Sequence, residues 1–259
     1  MKNALVTGAG HRLGRAMALF LASRGYAVAV HYANSKAGAE ETVSLIAGQG
    51  GHAVAVHADM LEDPQVERMF DAARDALGGD ITCLVNNASI FEYDTIETAT
   101  RETWDRHMQS NLRAPLILTQ KLAAQGLIAD QDAAGEPVSS AVIINMIDQR
   151  VRKLTPEFMT YTLAKMGLWA MTQTTAQALA PAIRVNAIGP GPTLRGGRQA
   201  PEQFARQRAS TVLERGANLQ DITAALGYLL DAPAVTGQLL CVDGGQHLAW
   251  QTPDVLDVE

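Results

Sequence analysis

Residues 3–14, Asn-Ala-Leu-Val-Thr-Gly-Ala-Gly-His-Arg-Leu-Gly, join a short apolar strand pattern directly to the beginning of a helix pattern. The glycines permit a tight turn and a close approach to a pyrophosphate, and the following helix N-terminus offers free N–H groups. The spacing is Thr-Gly-x-x-x-Arg-x-Gly, so the third glycine falls one residue later than in Gly-x-Gly-x-x-Gly. Because the cluster follows the first strand and opens a helix, it predicts a pyrophosphate site at Gly8, Arg12, Leu13 and Gly14. An ordinary glycine-rich turn is the alternative.

The alternation of strand and helix continues along most of the chain. Strand patterns lie at residues 3–7, 27–31, 53–57, 82–86, 141–146, 184–188 and 238–242, and helix patterns at 13–24, 35–47, 64–77, 103–125, 158–179 and 219–230. Most strand patterns are apolar throughout, which is typical of parallel strands covered by helices on both faces. We therefore predict an α/β fold, a Rossmann-like doubly wound parallel sheet of about seven strands, in a single domain spanning residues 1–259.

The composition is that of an ordinary globular protein, with 259 residues of which 47% are hydrophobic and 19% charged. The formal net charge of -6 and the isoelectric point near 5.5 give no reason to expect nucleic acid or an anionic membrane as a partner. No apolar stretch reaches the roughly 18 residues that a membrane span needs, and no signal-peptide pattern is found. Cys83 and Cys241 lie in apolar runs, as reduced cysteines do, and no metal-ligand spacing occurs. We expect a soluble cytoplasmic protein without a metal.

The charge is distributed unevenly along the chain. No Asp or Glu precedes Glu40, so the residues before it carry +5 and the remainder -11. An NAD site usually has an acidic residue after the second strand, where it accepts from the ribose 2′-hydroxyl. That place here holds donors and positive charge, namely His31, Tyr32, Asn34, Ser35 and Lys36. With Arg12 reaching over from the glycine loop, these residues favour NADPH over NADH. Asp59 and Met60 end the third strand, and Asp59 is expected to contact the adenine amino group.

The segment Tyr161-Thr-Leu-Ala-Lys165 supplies the clearest chemical pattern. Residues four apart project from one face of a helix, so the phenol and the ammonium are expected side by side. Tyrosine has an unperturbed pKa of about 10 and is a poor acid–base group at neutral pH. Because a nearby ammonium favours the anionic form, we expect Lys165 to bring the pKa of Tyr161 toward the working range. A surface pair is the common alternative, but the glycine loop and the strand pattern favour the catalytic interpretation.

With these motifs in place, the whole chain resembles the short-chain dehydrogenase/reductase family. The matching elements are residues 7–14, Asp59, Asn86-Asn-Ala-Ser89, Asn111, the Tyr161/Lys165 pair, Arg184-Val-Asn-Ala-Ile-Gly-Pro-Gly191, Thr193 and Val242-Asp-Gly-Gly245. The resemblance implies an NADP-dependent oxidoreductase that acts on a small molecule and assembles as a homotetramer.

The resemblance also implies a role for each matching residue. Tyr161 would exchange a proton with the substrate, Lys165 would bind the nicotinamide ribose and tune Tyr161, and Asn111 would hold a water in a proton relay. The other matches would contact the cofactor: Asn87 and Ala88 along the adenosine ribose with Ser89 beside them, and Pro190, Gly191 and Thr193 at the nicotinamide end.

One position departs from the family pattern. A serine normally stands thirteen residues before the tyrosine and hydrogen-bonds the substrate oxygen, whereas this chain has Asp148. A carboxylate repels a carbonyl oxygen that becomes an alkoxide, but it suits an N–H group or a proton relay to a ring nitrogen. The pteridine reductase branch of the family carries Asp and Tyr in this arrangement, and Arg12, His31-Tyr32 and Phe91 resemble that branch too. Phe91 is expected to stack on a flat pterin, a packing aromatic being the alternative.

These observations predict an NADPH-dependent oxidoreductase that transfers a hydride to a pterin- or dihydropterin-like C=N substrate, with Asp148, Tyr161 and Lys165 as a proton relay. Two alternatives stay open: an NADPH-dependent carbonyl or 3-oxoacyl reductase that tolerates Asp148, and a non-catalytic NADPH-binding sensor. Residues 191–216 follow a strand's carboxyl end and are expected to bind the substrate, with a solvated insertion as the alternative. Residues 129–140 are expected to form a polar loop.

Overall fold

The structure is a computed structural model that describes residues 2–196 and 199–250. The strands are β1 (Lys2–Val6), β2 (Tyr26–Tyr32), β3 (Ala53–His57), β4 (Ile81–Asn86), β5 (Asp130–Gln131), β6 (Pro137–Val138), β7 (Ala141–Met146), β8 (Ile183–Pro190) and β9 (Leu239–Val242). The α-helices are α1 (Arg12–Ser23), α2 (Lys36–Gly48), α3 (Asp63–Ala76), α4 (Arg101–Met108), α5 (Ala114–Ala123), α6 (Met159–Leu179), α7 (Pro201–Ala209) and α8 (Leu219–Asp231).

Seven parallel strands form one sheet in the order β3-β2-β1-β4-β7-β8-β9. This confirms the predicted doubly wound α/β fold. The chain builds outward from β1 in one direction and then returns to build outward from β4 in the other. Ligands bind in such sheets at the point where the strand order reverses, outside the carboxyl ends of the strands. Here that point lies between β1 and β4, where the glycine loop meets the segment after Asn86.

Both faces of the sheet are buried, and β1 shows how the sequence achieves this. Leu5 packs with the helices of one face, including Phe70 of α3 and Leu118 of α5. Ala4 and Val6, the residues on either side of Leu5, belong to the opposite core with α1 and α8. Because successive strand residues point to opposite faces, a strand covered twice must be apolar throughout. The continuous apolar patterns are the direct consequence.

The structure differs from the sequence prediction in three local respects. The predicted helix 103–125 is divided, since a π-helical turn, Gln109–Arg113, separates α4 from α5. Helix α7 lies within the segment 191–216 and went unpredicted because none of its residues is buried, so no apolar periodicity marks it. The predicted polar loop contains the small β5–β6 hairpin. Residues 197–198 of the segment lie outside the described residues.

None of the helices in the described part of the chain has the length and apolar character to cross a membrane. No group of three or more His, Cys, Asp and Glu side chains that could hold a metal ion occurs within residues 2–196 and 199–250.

Candidate active site

The glycine loop turns tightly between β1 and α1, and its geometry calls for glycine at Gly8 and Gly14. Gly8 has a φ of +64°, which favours glycine. A Cβ on Gly14 would lie only 2.2 Å from the carbonyl oxygen of Gly8, so the helix can approach the loop only without a side chain. The first turn of α1 contains no acidic residue, and its N-cap residue His11 makes no side-chain capping bond. The positive end of the helix dipole therefore faces the cleft uncompensated.

His31 supports this loop from below. Its Nδ1 accepts the backbone N–H of Gly8 at 2.9 Å, so the ring proton is on Nε2, which donates to the carbonyl of Ala58 at 3.1 Å. Burial lowers the pKa of His31 to about 4. The sequence interpretation of His31 as a donor and positive charge for a phosphate differs from this geometry. The ring is neutral, buried and fully used by the protein backbone, and it orients the loop.

Thr7 and Asn87 join the loop to the segment after β4. The side-chain nitrogen of Asn87 donates to the carbonyls of Thr7 at 2.8 Å and Gly8 at 3.2 Å. Oγ1 of Thr7 in turn accepts the backbone N–H groups of Asn87 at 2.8 Å and Ala88 at 2.9 Å. These bonds span the point where the strand order reverses. They make Thr7 a structural member of the site, a role that the sequence analysis did not give it.

A first cavity of about 730 Å³ opens along this loop. Its lining includes most of the residues expected to contact the cofactor: Gly8, Arg12, Leu13, Gly14, His31, Tyr32, Asn34, Ser35, Asp59, Met60, Asn87, Ala88 and Ser89. Asp59 also accepts the backbone N–H of Leu61 at 2.9 Å, which fixes its carboxylate at the cavity's edge. Asp59 is the only carboxylate among the described residues that line this cavity.

Lys36 and Arg12, the two cations expected to contact the cofactor's 2′-phosphate, are bonded to other groups of the protein. Lys36 is exposed and pairs with Glu40 on the next turn of α2, with 3.7 Å between Nζ and Oε1. The guanidinium of Arg12, a residue with a φ of +55°, donates to the carbonyls of Leu194 at 3.2 Å and Arg195 at 2.9 Å. Arg12 thus lines both the first cavity and the neighbouring one and links the glycine loop to the segment 191–216.

Tyr161 and Asp148 form a direct hydrogen bond beyond the carboxyl end of β7. The phenol Oη donates to Oδ2 of Asp148 at 3.1 Å, while Oδ1 accepts the backbone N–H of Arg150 at 2.8 Å. Asp148 precedes the 3-10 turn Gln149–Val151, directly after the carboxyl end of β7, and Tyr161 lies in the first turn of α6. The strand end and the helix start therefore bring these two groups together.

The electrostatics of this pair correct one sequence expectation. Burial raises the pKa of Tyr161 well above 10, and the neighbouring Asp148 raises it further, while Arg150 and Ser89 act in the opposite direction. Burial likewise raises the pKa of Asp148 above the ordinary carboxyl value. The expected lowering of the tyrosine pKa by Lys165 is therefore not what the structure gives. Burial thus shifts both pKa values upward, toward the proton-bearing form of each group.

Lys165 lies on the same face of α6 as Tyr161. Its Nζ donates to the carbonyl of Met146 at 2.8 Å and is 5.6 Å from the centre of the Tyr161 ring. The residue is 2% exposed, and burial lowers its pKa to about 8, although Asp148 acts to raise it. An ammonium held this way has free donor positions beside the Asp148–Tyr161 pair.

Asn111 is fully buried within the π-helical turn. Its Oδ1 accepts the backbone N–H of Ile90 and its Nδ2 donates to the carbonyl of the same residue, both at 2.9 Å. Both polar atoms of the Asn111 side chain thus bond the backbone of Ile90. This differs from the water-holding role that the family resemblance implies. The contact fixes the segment that carries Ser89 and Phe91.

A buried polar chain that the sequence analysis missed supports the start of α6. The backbone N–H of Glu92 donates to Nε2 of His107 at 3.1 Å, so the ring proton is on Nδ1, which donates to Oγ1 of Thr160 at 2.7 Å. The Thr160 hydroxyl donates to Oδ2 of Asp94, and the Thr160 backbone N–H donates to Oδ1 at 3.2 Å. Asp94 thereby caps the helix that begins one residue before Thr160 and two before Tyr161.

A second cavity of about 840 Å³ is lined by Tyr161 and shares Arg12 and Leu13 with the first. The expected residues Phe91, Asp148, Pro190, Gly191 and Thr193 line it, as do Gln149, Gln203 and Phe204. Part of the segment 191–216 forms one wall, and none of its described arginines lines the cavity. Arg208 donates to the carbonyls of Pro192 at 2.9 Å and Ala217 at 2.6 Å, so it fastens the two ends of the segment together.

Phe91 occupies an aromatic cluster at the entrance of this cavity. Its ring stacks on Phe158, with centres 4.2 Å apart and planes at 8°, and meets Tyr161 edge-on at 4.7 Å and 74°. The side chain is 46% exposed. Phe158 therefore covers one face of the Phe91 ring.

Known proteins resemble the chain over almost its whole length. A family model described as enoyl-(acyl carrier protein) reductase matches residues 8–247. A short-chain type dehydrogenase/reductase of Picea abies is 30% identical over 94% of this chain and 91% of its own length. The 3-oxoacyl-[acyl-carrier-protein] reductase FabG of Staphylococcus epidermidis is 31% identical, covering 95% and 99%. The crystal structure of FolM alternative dihydrofolate reductase 1 from Brucella canis, complexed with NADP, is 43% identical, covers 98% of this chain and 97% of its own, and has a TM-score of 0.90.

Proposed function

The chain belongs to the short-chain dehydrogenase/reductase family, and from that premise we propose that it is an NADPH-dependent reductase of a C=N bond in a pterin, dihydropterin or dihydrofolate-like substrate. The observation that carries the proposal is the hydrogen bond between Tyr161 and Asp148, which both line the second cavity. The similarity to FolM alternative dihydrofolate reductase 1 from Brucella canis supports the same substrate class.

The first cavity fits NADP. The close approach of Gly14 to Gly8 leaves a cradle that a Cβ would fill, and the uncapped start of α1 offers N–H groups to the pyrophosphate. Asn34 and Ser35 line the place of the 2′-phosphate, where no carboxylate repels it. Arg12 would turn from the carbonyls of residues 194–195 toward the phosphates. Asn87 and Ala88 would hold the adenosine ribose, and Pro190, Gly191 and Thr193 the nicotinamide end.

The chain's own groups manage the proton that the reaction needs. Reduction of a C=N bond adds a hydride to carbon and a proton to nitrogen, and NADPH supplies the hydride. Burial raises the pKa of both Asp148 and Tyr161, which shifts each toward its proton-bearing form, and the pair would give a proton to the nitrogen. Lys165 holds a positive charge beside the pair and stabilises the anion that remains after the proton is given up. Phe91, an aromatic side chain that lines the second cavity, would stack on a flat heterocycle.

A carbonyl or 3-oxoacyl reductase is the second candidate, because the FabG relative reduces such substrates according to its name. The position of Asp148 separates the two candidates. An alkoxide developing on the substrate would sit against a carboxyl group instead of a serine hydroxyl. A protonated Asp148 tolerates this, but an ionised one repels it.

The proposal extends to the oligomeric state and the cellular location. We propose a homotetramer, a single domain over residues 1–259, and substrate binding by residues 191–216, of which 197–198 lie outside the described part. Cys83 and Cys241 are free thiols, which agrees with a reducing cytoplasm. Light scattering on the purified protein measures the assembly.

The proposal is tested by following NADPH oxidation with a dihydropterin, dihydrofolate, an acetoacetyl thioester and a simple ketone, and by repeating each assay with NADH. We expect turnover of the pterin substrates with NADPH and at least tenfold lower kcat/KM with NADH. Tyr161→Phe is the control: it should reduce kcat by 10²-fold or more while NADPH still binds. Preferred turnover of the thioester or ketone, or full activity of Tyr161→Phe, would overturn the proposal.

A further inference from the structure

Arg150 is a cation of the second cavity that forms no ion pair with any described residue. It follows Asp148 by two residues, and its backbone N–H donates to Oδ1 of that carboxyl at 2.8 Å. This bond and the 3-10 turn Gln149–Val151 fix the base of the side chain beside the Asp148–Tyr161 pair. The half-buried side chain then runs along the cavity wall.

The protein uses only part of the guanidinium's donor capacity. Nη1 donates to Oγ1 of Thr155 and, at 3.4 Å, to the backbone carbonyl of Glu157. Nε is buried and has no partner within the described chain, and no hydrogen bond from Nη2 occurs there either. A guanidinium carries five donors, and those of Nη2 have no partner among the described residues. Asp148 accepts the backbone N–H of Arg150 and makes no ion pair with its guanidinium, so an anion that arrives with a ligand would supply that direct contact.

Aromatic rings separate this cation from the reacting groups. The Cζ atom of Arg150 lies 5.1 Å from the centre of the Phe158 ring, Phe158 stacks on Phe91, and Phe91 meets Tyr161 edge-on. Three successive ring contacts therefore lie between the guanidinium and the phenol. The part of a ligand that lies along these rings, between the guanidinium of Arg150 and the phenol of Tyr161, must itself be apolar or aromatic.

We propose that Arg150 is an anion subsite that binds a carboxylate or phosphate carried by the substrate on a tail beyond the reacting ring. The proposal rests on the reductase function above and deepens it, because it assigns the enzyme a substrate with an acidic tail. Planar guanidinium groups recognise carboxylates and phosphates through paired hydrogen bonds. Glu157, the carboxyl residue that also lines this part of the cavity, contacts Arg150 through its backbone and leaves the guanidinium to the ligand.

Two variants of neighbouring arginines give a matched comparison. Arg150→Met removes the charge and keeps an unbranched apolar side chain over Phe158. Arg152→Met is the control, since Arg152 is exposed, lies over Trp169 with Cζ 5.5 Å from the ring centre, and does not line the cavity. Steady-state assays with NADPH compare three dihydropterins: one with a neutral hydroxyalkyl tail, its phosphate ester, and dihydrofolate with its carboxylate tail.

We expect Arg150→Met to lower the ratio of kcat/KM for an acid-tailed substrate to that for the neutral one by tenfold or more, chiefly through KM. Arg152→Met should keep the wild-type ratio. Added salt should raise KM for the acid-tailed substrate of the wild type alone. Whether the phosphate or the carboxylate shows the larger loss identifies the source of the anion. The subsite is contradicted if Arg150→Met changes all three substrates by one factor, or if Arg152→Met has the same effect.

A binding measurement separates failure of the subsite from failure of the function. Calorimetry on the NADP-loaded enzyme measures binding of p-aminobenzoylglutamate and of glycerol phosphate, and Arg150→Met should weaken at least one of them tenfold. If that loss occurs while no dihydropterin is reduced, the subsite stands and the proposed substrate class fails. If dihydropterins are reduced and neither anion depends on Arg150, the function stands and the subsite is wrong.

Discussion

Oη of Tyr161 lies 3.1 Å from Oδ2 of Asp148, so the position that is a serine in the family pattern here presents a carboxyl group to the tyrosine. The two groups come from the start of α6 and the end of β7. Burial raises the pKa of both groups, and Asp148 raises that of Tyr161 further, whereas the hydrogen bond from Tyr161 lowers that of Asp148. A serine at this place offers one hydroxyl, whereas a carboxylic acid and a phenol together offer two exchangeable protons. The pair is thus suited to protonating a substrate nitrogen.

His31 predicts a pH dependence of stability. Its pKa is lowered to about 4 in the folded chain and is near 6.5 when unfolded, so the unfolded state gains a proton first as the pH falls. Its stabilising contribution is present above pH 6.5 and is lost toward pH 4, at a cost of about 3 kcal/mol. His31→Leu should be less stable at pH 7, and its deficit against the wild type should shrink toward pH 4. Urea unfolding at several pH values measures this. A constant deficit would contradict the buried neutral imidazole.

We expect the buried ammonium of Lys165 to serve the reaction and to lower the stability of the folded chain. Burial lowers its pKa to about 8 from 10.5, so the folded chain binds fewer protons than the unfolded chain between these values, and stability rises with pH across that window. Lys165→Met removes the buried ammonium. We expect it to be inactive and about 1–2 kcal/mol more stable than the wild type at pH 7, allowing for the lost bond to Met146. Thermal unfolding of the apo protein should show this gain fading toward pH 10.5.

A surface lysine provides the control for that measurement. Lys36→Met breaks only an exposed pair with Glu40, and such pairs contribute little. Its stability should track the wild type at every pH. A Lys165→Met protein that is less stable at pH 7 would contradict the account of a desolvated ammonium.

Asp94 is predicted to position Tyr161 through Thr160. An amide nitrogen in Asp94→Asn would face the Thr160 hydroxyl and reverse the hydrogen-bond chain, so His107 would be left with an N–H against the N–H of Glu92. We expect a loss of about 1–2 kcal/mol from the weakened helix cap, and a fall in kcat larger than the rise in KM. NADPH affinity should stay within a fewfold of the wild type. Asp71→Asn, which breaks a half-exposed pair with Lys121, should leave kcat unchanged.

Comparing Asp94→Asn with Asp71→Asn separates a positioning role of Asp94 from a general loss of stability. Chemical unfolding gives the stability of both variants, and single-turnover NADPH oxidation gives the chemical step. If Asp94→Asn loses stability and retains the wild-type rate of the chemical step, Asp94 only caps the helix.

The sequence was informative where local pattern determines structure. Residues 3–14 predict a strand, a turn and a helix because each depends on neighbours along the chain, and the sheet order follows from the alternation they begin. The thirteen-residue spacing of Asp148 and Tyr161, together with the family resemblance, was enough to expect them in one site. Helix α7 gave no signal, because it buries no residue.

Roles that depend on burial and on distant partners were beyond the sequence. His31 has the chemistry of a phosphate ligand, and only its position under Gly8 and beside Ala58 makes it a neutral support. The raised pKa of Tyr161 arises from desolvation, which a spacing of four residues cannot express. Asp94 and Thr160 are 66 residues apart, and no local motif connects them.

The most direct test of the central claim is the ratio of kcat/KM for a dihydropterin to kcat/KM for a ketone, measured with NADPH for the wild type and for Asp148→Ser. If the carboxyl group of Asp148 donates to a substrate nitrogen, the wild type favours the dihydropterin. The serine variant should then lose 10²-fold or more of that activity while its ketone reduction rises. Pterin turnover that persists in Asp148→Ser together with increased ketone reduction would contradict the assigned role of Asp148.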